Sequence, residues 1–281
     1  MQPTPESRSK SLPVRILWIA LSCSFLVLGC GCVNLAAVRD YAQEASTLSA
    51  HRGVSNDLVA TKERLYVYAQ KDPGADGLKA VKLEQAEFDH EQQTLVKYMA
   101  SLAALADNDL ASFETEIGQA GEAAGRTNKL DPAQVGLLTS VGELVARVAT
   151  DYGRERKIRA LVQRTDPAVQ DLINKLLSLV RDSYLASLDT EKEGAEEFVR
   201  EAKSEKIAGL SRLTDFVLRD HLQLIEARRT SAEAYAKALE QIGRAHAELA
   251  HNLGSFTAKE FVVQLKIYGS ALQQLHSLLK N

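Results

Sequence analysis

Apolar residues recur at steps of three and four along most of the chain after residue 34, which is the spacing of one face of an α-helix. The clearest such face follows Pro167. It comprises Val169, Leu172, Ile173, Leu176, Leu177, Val180, Tyr184 and Leu188. Alternation of apolar and polar residues, the pattern of a strand, never exceeds four residues in this region. The pattern therefore predicts an all-α fold.

The apolar faces are narrow and some of them are long. On one segment Val81, Phe88, Leu95 and Leu102 are each seven residues apart, which is typical of the seam of a helical bundle. A further periodic stretch, residues 207–253, would form a helix of about 70 Å at 1.5 Å per residue. Narrow seams suit long helices paired side by side, so we predict an elongated antiparallel bundle with coiled-coil-like helices. Residues 34–281 form its single domain.

Local signals divide this pattern into helices. Asp131-Pro132 and Asp166-Pro167 each place a capping carboxylate before a proline, whose missing N–H suits the first turn of a helix. We therefore predict that a helix begins at each of these two positions. Residues 51–53, His-Arg-Gly, are a candidate break in the first helical region.

The first thirty residues follow a different pattern. Arg8, Lys10 and Arg15 give a positive start, residues 16–28 are mostly apolar, and small residues follow. A membrane-spanning helix needs about 20 apolar residues, and this stretch is shorter. The layout is that of a secretory signal peptide, which we assign to residues 1–29.

The end of that stretch, Val27-Leu28-Gly29-Cys30, resembles the lipobox of bacterial lipoproteins. The resemblance covers residues 1–32 and implies that Cys30 receives a diacylglycerol, that cleavage occurs just before it, and that residues 30–33 form a lipidated anchor. Cys32 fits less well, because Gly29 would then occupy the aliphatic position. Two or more acyl chains hold a protein on a membrane durably, whereas one does so only marginally.

The same resemblance bears on location. In lipoproteins of double-membraned bacteria, Asp after the modified cysteine tends to retain the protein in the inner membrane, and this chain has Gly31 there. The resemblance therefore implies that the protein lies on the periplasmic face of the outer membrane. In a single-membraned host it implies the outer face of the plasma membrane. An uncleaved anchor over residues 16–33 and plain secretion remain alternatives.

Charge and cysteine content exclude some classes of protein. The net charge is −3, and it becomes more negative without the basic residues of the leader, which argues against nucleic-acid binding and against electrostatic attachment to an anionic leaflet. The chain has three cysteines, Cys23, Cys30 and Cys32. With Cys23 removed and Cys30 lipidated, the mature protein would contain no intramolecular disulfide.

Two Glu-x-x-His motifs are the strongest candidates for chemistry. They are Glu87 with His90 and Glu248 with His251. Ferritin-like di-iron bundles, which the motifs resemble, use such pairs with ligands that point into the core. Here Phe88 and Leu249 occupy the seam, so the flanking Glu and His are expected to face outward. This orientation argues against a metal site in the core. A metal-binding four-helix enzyme or store is kept as the alternative function because the two motifs have the spacing of metal ligands.

The sequence contains no other catalytic motif that we recognise, and we predict neither an enzyme nor a cofactor. His221 and His246 lie on or near the seam and are expected to be hydrogen-bonded bundle residues. The acidic cluster between Glu193 and Glu201 is interleaved with basic residues, which indicates a solvated helix face.

The sequence favours a lipid-anchored binding or scaffold protein whose helical surface contacts another protein of the cell envelope. This function needs no catalytic residues. A third possibility is carriage of an apolar ligand, which requires a pocket larger than narrow seams usually leave.

Overall fold

The computed structural model describes residues 30–69, 72, 74–107, 151–204, 210–252 and 259–280, and the fold in these ranges is all-α. No strand occurs within them. The α-helices are α1 (Cys30–Ser49), α2 (Gly53–Tyr68), α3 (Gly74–Asp107), α4 (Asp151–Ser178), α5 (Ala186–Ser204), α6 (Leu210–His251) and α7 (Lys259–Lys280). A π-helical segment, Leu179–Leu185, joins α4 to α5 without interruption. None of the described helices is both long and apolar enough to cross a membrane.

Helix α1 runs antiparallel to α3. Arg39 near the start of α1 pairs with Asp107 at the end of α3, with 2.9 Å between Nη1 and Oδ1. Further along, the Ser46 hydroxyl donates to the carbonyl of Val96. Residue numbers thus rise along one helix as they fall along the other.

The continuous run from α4 to α5 is antiparallel to α6 in the same way. The Gln170 amide donates to the Gly243 carbonyl at 2.9 Å, and near the other end Lys203 pairs with Asp215. At 42 residues, α6 is about 63 Å long. The predicted elongated antiparallel bundle with long helices is therefore confirmed.

The apolar seams form the core. Val81, Phe88, Leu95 and Leu102 of α3 are all buried, as their seven-residue spacing predicts. The face that begins after Pro167 is buried along nearly its whole length: Val169, Leu172, Ile173, Leu176, Val180, Tyr184 and Leu188. Apart from Val81, these residues pack into one cluster with the buried faces of α1 and α6.

The candidate break after α1 is present, since α1 ends at Ser49 and α2 begins at Gly53. The His51 ring lies against Gly53, where an added Cβ would come within 2.6 Å of its Nε2 atom. A side chain at residue 53 would therefore displace the ring. The His51 carbonyl, left outside the helix, accepts a hydrogen bond from the Gln92 amide at 2.6 Å.

The predicted helix start at Asp166-Pro167 is wrong, because Pro167 lies inside α4. Proline there removes the N–H that would pair with the carbonyl of Gln163. Both Pro167 and Gln163 are exposed, so water can reach that carbonyl. The other predicted start, Asp131-Pro132, lies outside the described residues, as do residues 1–29.

Candidate functional site

Cys30 begins α1, and the antiparallel pairings place this end of α1 beside the ends of α3 and α6. We call this the Cys30 end of the bundle. The opposite end, where α5 ends at Ser204 and α6 begins at Leu210, is the far end. A lipid on Cys30 would thus be attached at one extremity of the bundle.

The first Glu-x-x-His pair does not point into the core. Glu87 is exposed, and His90 is half-buried and has a bonding partner. Between them Phe88 is fully buried and stacks on the Tyr235 ring, with 6.4 Å between ring centroids. This pair therefore lies on the flanks of the seam at the level of Tyr235.

The second pair lies closer to the Cys30 end. Glu248 accepts a hydrogen bond from the Tyr268 hydroxyl at 2.6 Å, and exposed His251 donates through Nδ1 to the Ala247 carbonyl at 2.7 Å. Thirteen residues of α6 separate Glu248 from Tyr235, about 20 Å along the helix. The two motifs are therefore not brought together. Among the described residues no group of three or more His, Cys, Asp or Glu side chains is arranged to hold a metal ion.

His246 is a hydrogen-bonded bundle residue, as expected. Its ring is fully buried, with Nδ1 2.8 Å from Asp166 Oδ1 and Nε2 2.6 Å from the Tyr98 hydroxyl. The Tyr98 hydroxyl also lies 2.8 Å from the hydroxyl of Thr165. The hydrogen bond from His246 lowers the pKa of Asp166 below its ordinary value, against the opposing effect of burial.

This lowered pKa predicts a pH-dependent contribution to stability. The carboxylate of Asp166 stabilises the fold above about pH 4, and this contribution is lost as pH falls through the folded-state pKa. Asp166→Asn should therefore lower the free energy of unfolding by about 1–3 kcal/mol near neutral pH. The difference from wild type should shrink as pH falls below the ordinary pKa of an aspartate. Urea unfolding at several pH values measures it.

Asp171→Asn is the matched control, because Asp171 is exposed on the same helix and pairs with Lys175 four residues on. It should change stability by less than about 0.5 kcal/mol. If the loss in free energy of unfolding caused by Asp166→Asn stayed constant from neutral to acidic pH, the lowered pKa of Asp166 would not contribute to stability.

A buried charge cluster lies toward the far end and joins α2, α5 and α6. Its centre is Glu191, whose side chain is 0% exposed. Arg64 donates to it through Nε at 2.6 Å and Nη2 at 3.1 Å, and His221 Nε2 lies 3.0 Å from Oε1. The Arg228 guanidinium is 3.6 Å from Oε1. Burial alone would lower the pKa of Arg64, but the hydrogen bond and charge of Glu191, together with the charge of Asp57, outweigh it and raise that pKa.

A second carboxylate, Asp57, completes the cluster. It accepts a hydrogen bond from Tyr184 of the π-helical segment at 2.7 Å and lies within 3.6 Å of both Arg64 and Arg228. Burial and the bond to Asp57 raise the pKa of Tyr184. Two carboxylates thus face two guanidinium groups, which balances their charges. We call Asp57, Arg64, Glu191, His221 and Arg228 the Glu191 cluster.

The sequence contains one signal of this cluster, which belongs to no catalytic or metal-binding motif. Buried residues of this run recur at steps of three and four. They are Tyr184, Leu188, Glu191, Ala195 and Val199. Glu191 therefore occupies a seam position, whereas the acidic residues between Glu193 and Glu201 lie off this buried face. A charged residue in a seam predicts an opposite charge on a facing helix.

An apolar cleft of about 280 Å³ lies between α5 and α6 near the far end. These two helices extend past Tyr68, the last residue of α2. The cleft is lined by Tyr68, Ala195, Phe198, Val199, Leu213, Thr214, Val217, Leu218 and His221. Tyr68 and His221 meet at its wall, with 2.9 Å between the hydroxyl and Nε2, so the cleft adjoins the Glu191 cluster.

Large apolar side chains around this cleft are exposed. Phe198 of α5 and Leu213 and Val217 of α6 line the cleft and are each more than half exposed, and Leu213 reaches 60%. We call these three residues the far-end apolar surface. Single exposed apolar residues are ordinary, but a contiguous group around a cleft is typical of an interaction site.

A second cleft, of about 540 Å³, lies on the other side of Phe198, between α5 and the end of α2. Its charged lining residues are all carboxylates: Glu193, Glu197 and Glu201. The three are exposed, as the sequence predicts for a solvated face. Gly194 permits the close approach of α2, because an added Cβ would lie 3.0 Å from Cβ of Tyr68.

The far-end apolar surface is remote from Cys30. From Leu213 to His251, at the Cys30 end, α6 rises about 57 Å. No family model, curated protein or solved structure matches the chain.

Proposed function

We propose that this protein is a lipid-anchored component of the cell envelope whose bundle holds a binding surface for another envelope protein away from the membrane. One observation carries the proposal. The far-end apolar surface lies about 57 Å along α6 from the end that contains Cys30. A protein attached through Cys30 would present this surface at its free end.

The chemistry of the surface favours a protein partner. Phe198, Leu213 and Val217 belong to two neighbouring helices and leave a cleft between them. Such a groove fits the apolar face of a helix. Burial of exposed apolar area contributes roughly 25 cal/mol per Å², so a partner that covers these side chains gains favourable free energy.

The alternative, a metal-binding bundle, has less support. Its four candidate ligands occupy two levels of the bundle about 20 Å apart, and Glu248 is already bonded to Tyr268. No observation within the described residues favours it over a binding role.

Cys30→Ala tests the anchoring part of the proposal. The variant should lose labelling by a radioactive or clickable fatty acid, retain its leader, and fail to acquire a mature lipidated form, because the thiol that receives the lipid is gone. Cys32→Ala, which removes the neighbouring thiol, is the matched control and should label and mature normally. Gel mobility and lipid labelling in the native host measure both.

Fractionation of the envelope then tests location. The wild-type protein should sediment with outer-membrane markers and require detergent for release. Normal labelling of Cys30→Ala, recovery with inner-membrane markers, or release by buffer alone would refute the corresponding part of the proposal.

A further inference from the structure

We propose that the far-end apolar surface docks an amphipathic helix of the partner whose basic residues lie along one flank of its apolar face. The inference rests on the proposed function, because it names the chemistry of the partner at that same surface. It is carried by the juxtaposition of an apolar cleft and a row of carboxylates on opposite sides of Phe198.

The size of the apolar cleft favours an inserted side chain over a small-molecule ligand. Its volume of about 280 Å³ lies at the lower edge of the roughly 300–1,000 Å³ of ligand pockets. Leu213 and Val217 line it four residues apart, on one face of α6. A partner helix can lay apolar residues spaced by three, four and seven positions along such a groove. One of its large side chains would enter the cleft.

The carboxylates select the charge of the partner. Glu193, Glu197 and Glu201 recur every four residues, so they share one side of α5. In the part of the chain that the structure describes, neither Glu193 nor Glu201 has a cation within ion-pair distance, and Glu197 pairs with exposed Arg200. Such an exposed pair is worth little, so Glu197 can exchange it for a new partner.

The two sides of the groove differ in charge, which orients the partner. The α6 side carries Arg212, Asp215, Arg219 and Asp220, a mixture that favours neither sign. The α5 side is bordered by the row of carboxylates. A helix with Lys or Arg on one flank therefore gains most when that flank faces α5. The rings of Tyr68 and Phe198, which line the acidic cleft, add favourable contacts for a cation.

The floor of the groove is already fixed in the free protein. His221 and Tyr68 contact each other at the wall of the apolar cleft, and buried Glu191 holds His221 at 3.0 Å. Because these side chains are ordered by the Glu191 cluster, docking does not have to immobilise them.

A second copy of this chain fits the surface less well. In a two-fold pair, each copy presents the same patch to the other. The row of carboxylates would then meet either the same row or the mixed charges of α6. Neither supplies a basic flank.

The test compares two designed peptides binding to the full chain in nanodiscs of zwitterionic lipid. Both peptides are helices of about 18 residues with the same leucine face. One peptide carries Lys along one flank of that face, and the other carries Glu at the same positions. We expect the Lys peptide to bind at least about ten-fold tighter in fluorescence anisotropy, after subtraction of empty nanodiscs. This advantage should shrink in about 0.5 M NaCl, which screens exposed charges.

Variants separate the two contributions. Leu213→Asp should abolish binding of both peptides, and its unfolding midpoint should match wild type because Leu213 is exposed. Combined replacement of Glu193, Glu197 and Glu201 by Gln should bring the two affinities within about two-fold of each other. Glu87→Gln, which neutralises an exposed carboxylate remote from the groove, should leave the preference for Lys intact.

Several results would overturn the inference. Equal affinity for the two peptides, or a Lys preference that survives the triple Gln replacement, contradicts the role of the carboxylates. A dimer that Leu213→Asp dissociates would identify the occupant as a second copy. A fatty acid retained by wild type and lost in Leu213→Asp, seen by native mass spectrometry, would identify an apolar ligand. Failure of these tests with normal lipid labelling of Cys30 leaves the anchoring proposal standing.

Discussion

Replacement of Glu191 by Ala is expected to lower the free energy of unfolding by about 3–5 kcal/mol, the usual cost of removing one partner from a buried ion pair. The Glu191 side chain is fully buried and bonds Arg64 and His221. Without it, the Arg64 and Arg228 guanidinium groups keep only Asp57 as a counter-charge. Urea unfolding followed by circular dichroism measures the loss.

Two further variants give this prediction its controls. Glu191→Gln keeps the shape and an acceptor oxygen, so its cost should be smaller than that of Glu191→Ala. Glu193→Ala removes an exposed carboxylate two residues along the same helix and should change stability by less than about 0.5 kcal/mol. A loss below about 1 kcal/mol for Glu191→Ala would mean that the cluster contributes no more than an exposed pair.

Replacement of Phe88 by Ala should be similarly costly, at about 3–5 kcal/mol. The ring is fully buried, occupies the seam of α3 and stacks on Tyr235. The substitution removes its apolar contacts and leaves a cavity that the long helices can close only in part. In thermal unfolding this corresponds to a fall in Tm of roughly 10 °C for a protein of this size.

The adjacent residue is the matched control for Phe88. Glu87→Ala alters one member of a Glu-x-x-His pair at an exposed position and should cost less than about 0.5 kcal/mol. If the two substitutions had comparable effects, Phe88 would not lie on the face of α3 that is turned to the core. The same comparison thus tests whether Glu87, in the first Glu-x-x-His motif, faces away from the core.

The seams could be predicted from the sequence because a helix that packs against its neighbours must place apolar residues at steps of three and four. Phe88 and Leu95 are buried for the reason that their spacing indicates, and the break at residues 51–53 follows from a glycine that accommodates the His51 ring. The predicted helix start at Pro167 is wrong because a proline also fits the interior of a long helix when it faces water. Nothing in the local sequence distinguishes these two situations.

The Glu191 cluster and the two clefts could not be predicted from the sequence alone. Asp57, Glu191 and Arg228 are far apart in sequence, and their proximity depends on the register between α2, α5 and α6. The clefts depend on where α2 ends relative to its neighbours, since Tyr68 closes one side of each. A periodic pattern gives the faces of helices and leaves their relative lengths undetermined. The assignments of residues 1–29 and of Cys30 remain predictions from the lipobox resemblance.

The buried tyrosines give this protein an intrinsic optical reporter. Tyr41, Tyr98, Tyr184 and Tyr235 lie in the core, and burial raises the pKa of each phenol. The one tryptophan, Trp18, lies in the segment assigned to the leader, so phenol absorbance would dominate the near-ultraviolet spectrum of the mature chain. In alkaline solution the ionised phenolate band would thus register loss of packing along nearly the whole axis of the molecule, without any attached dye.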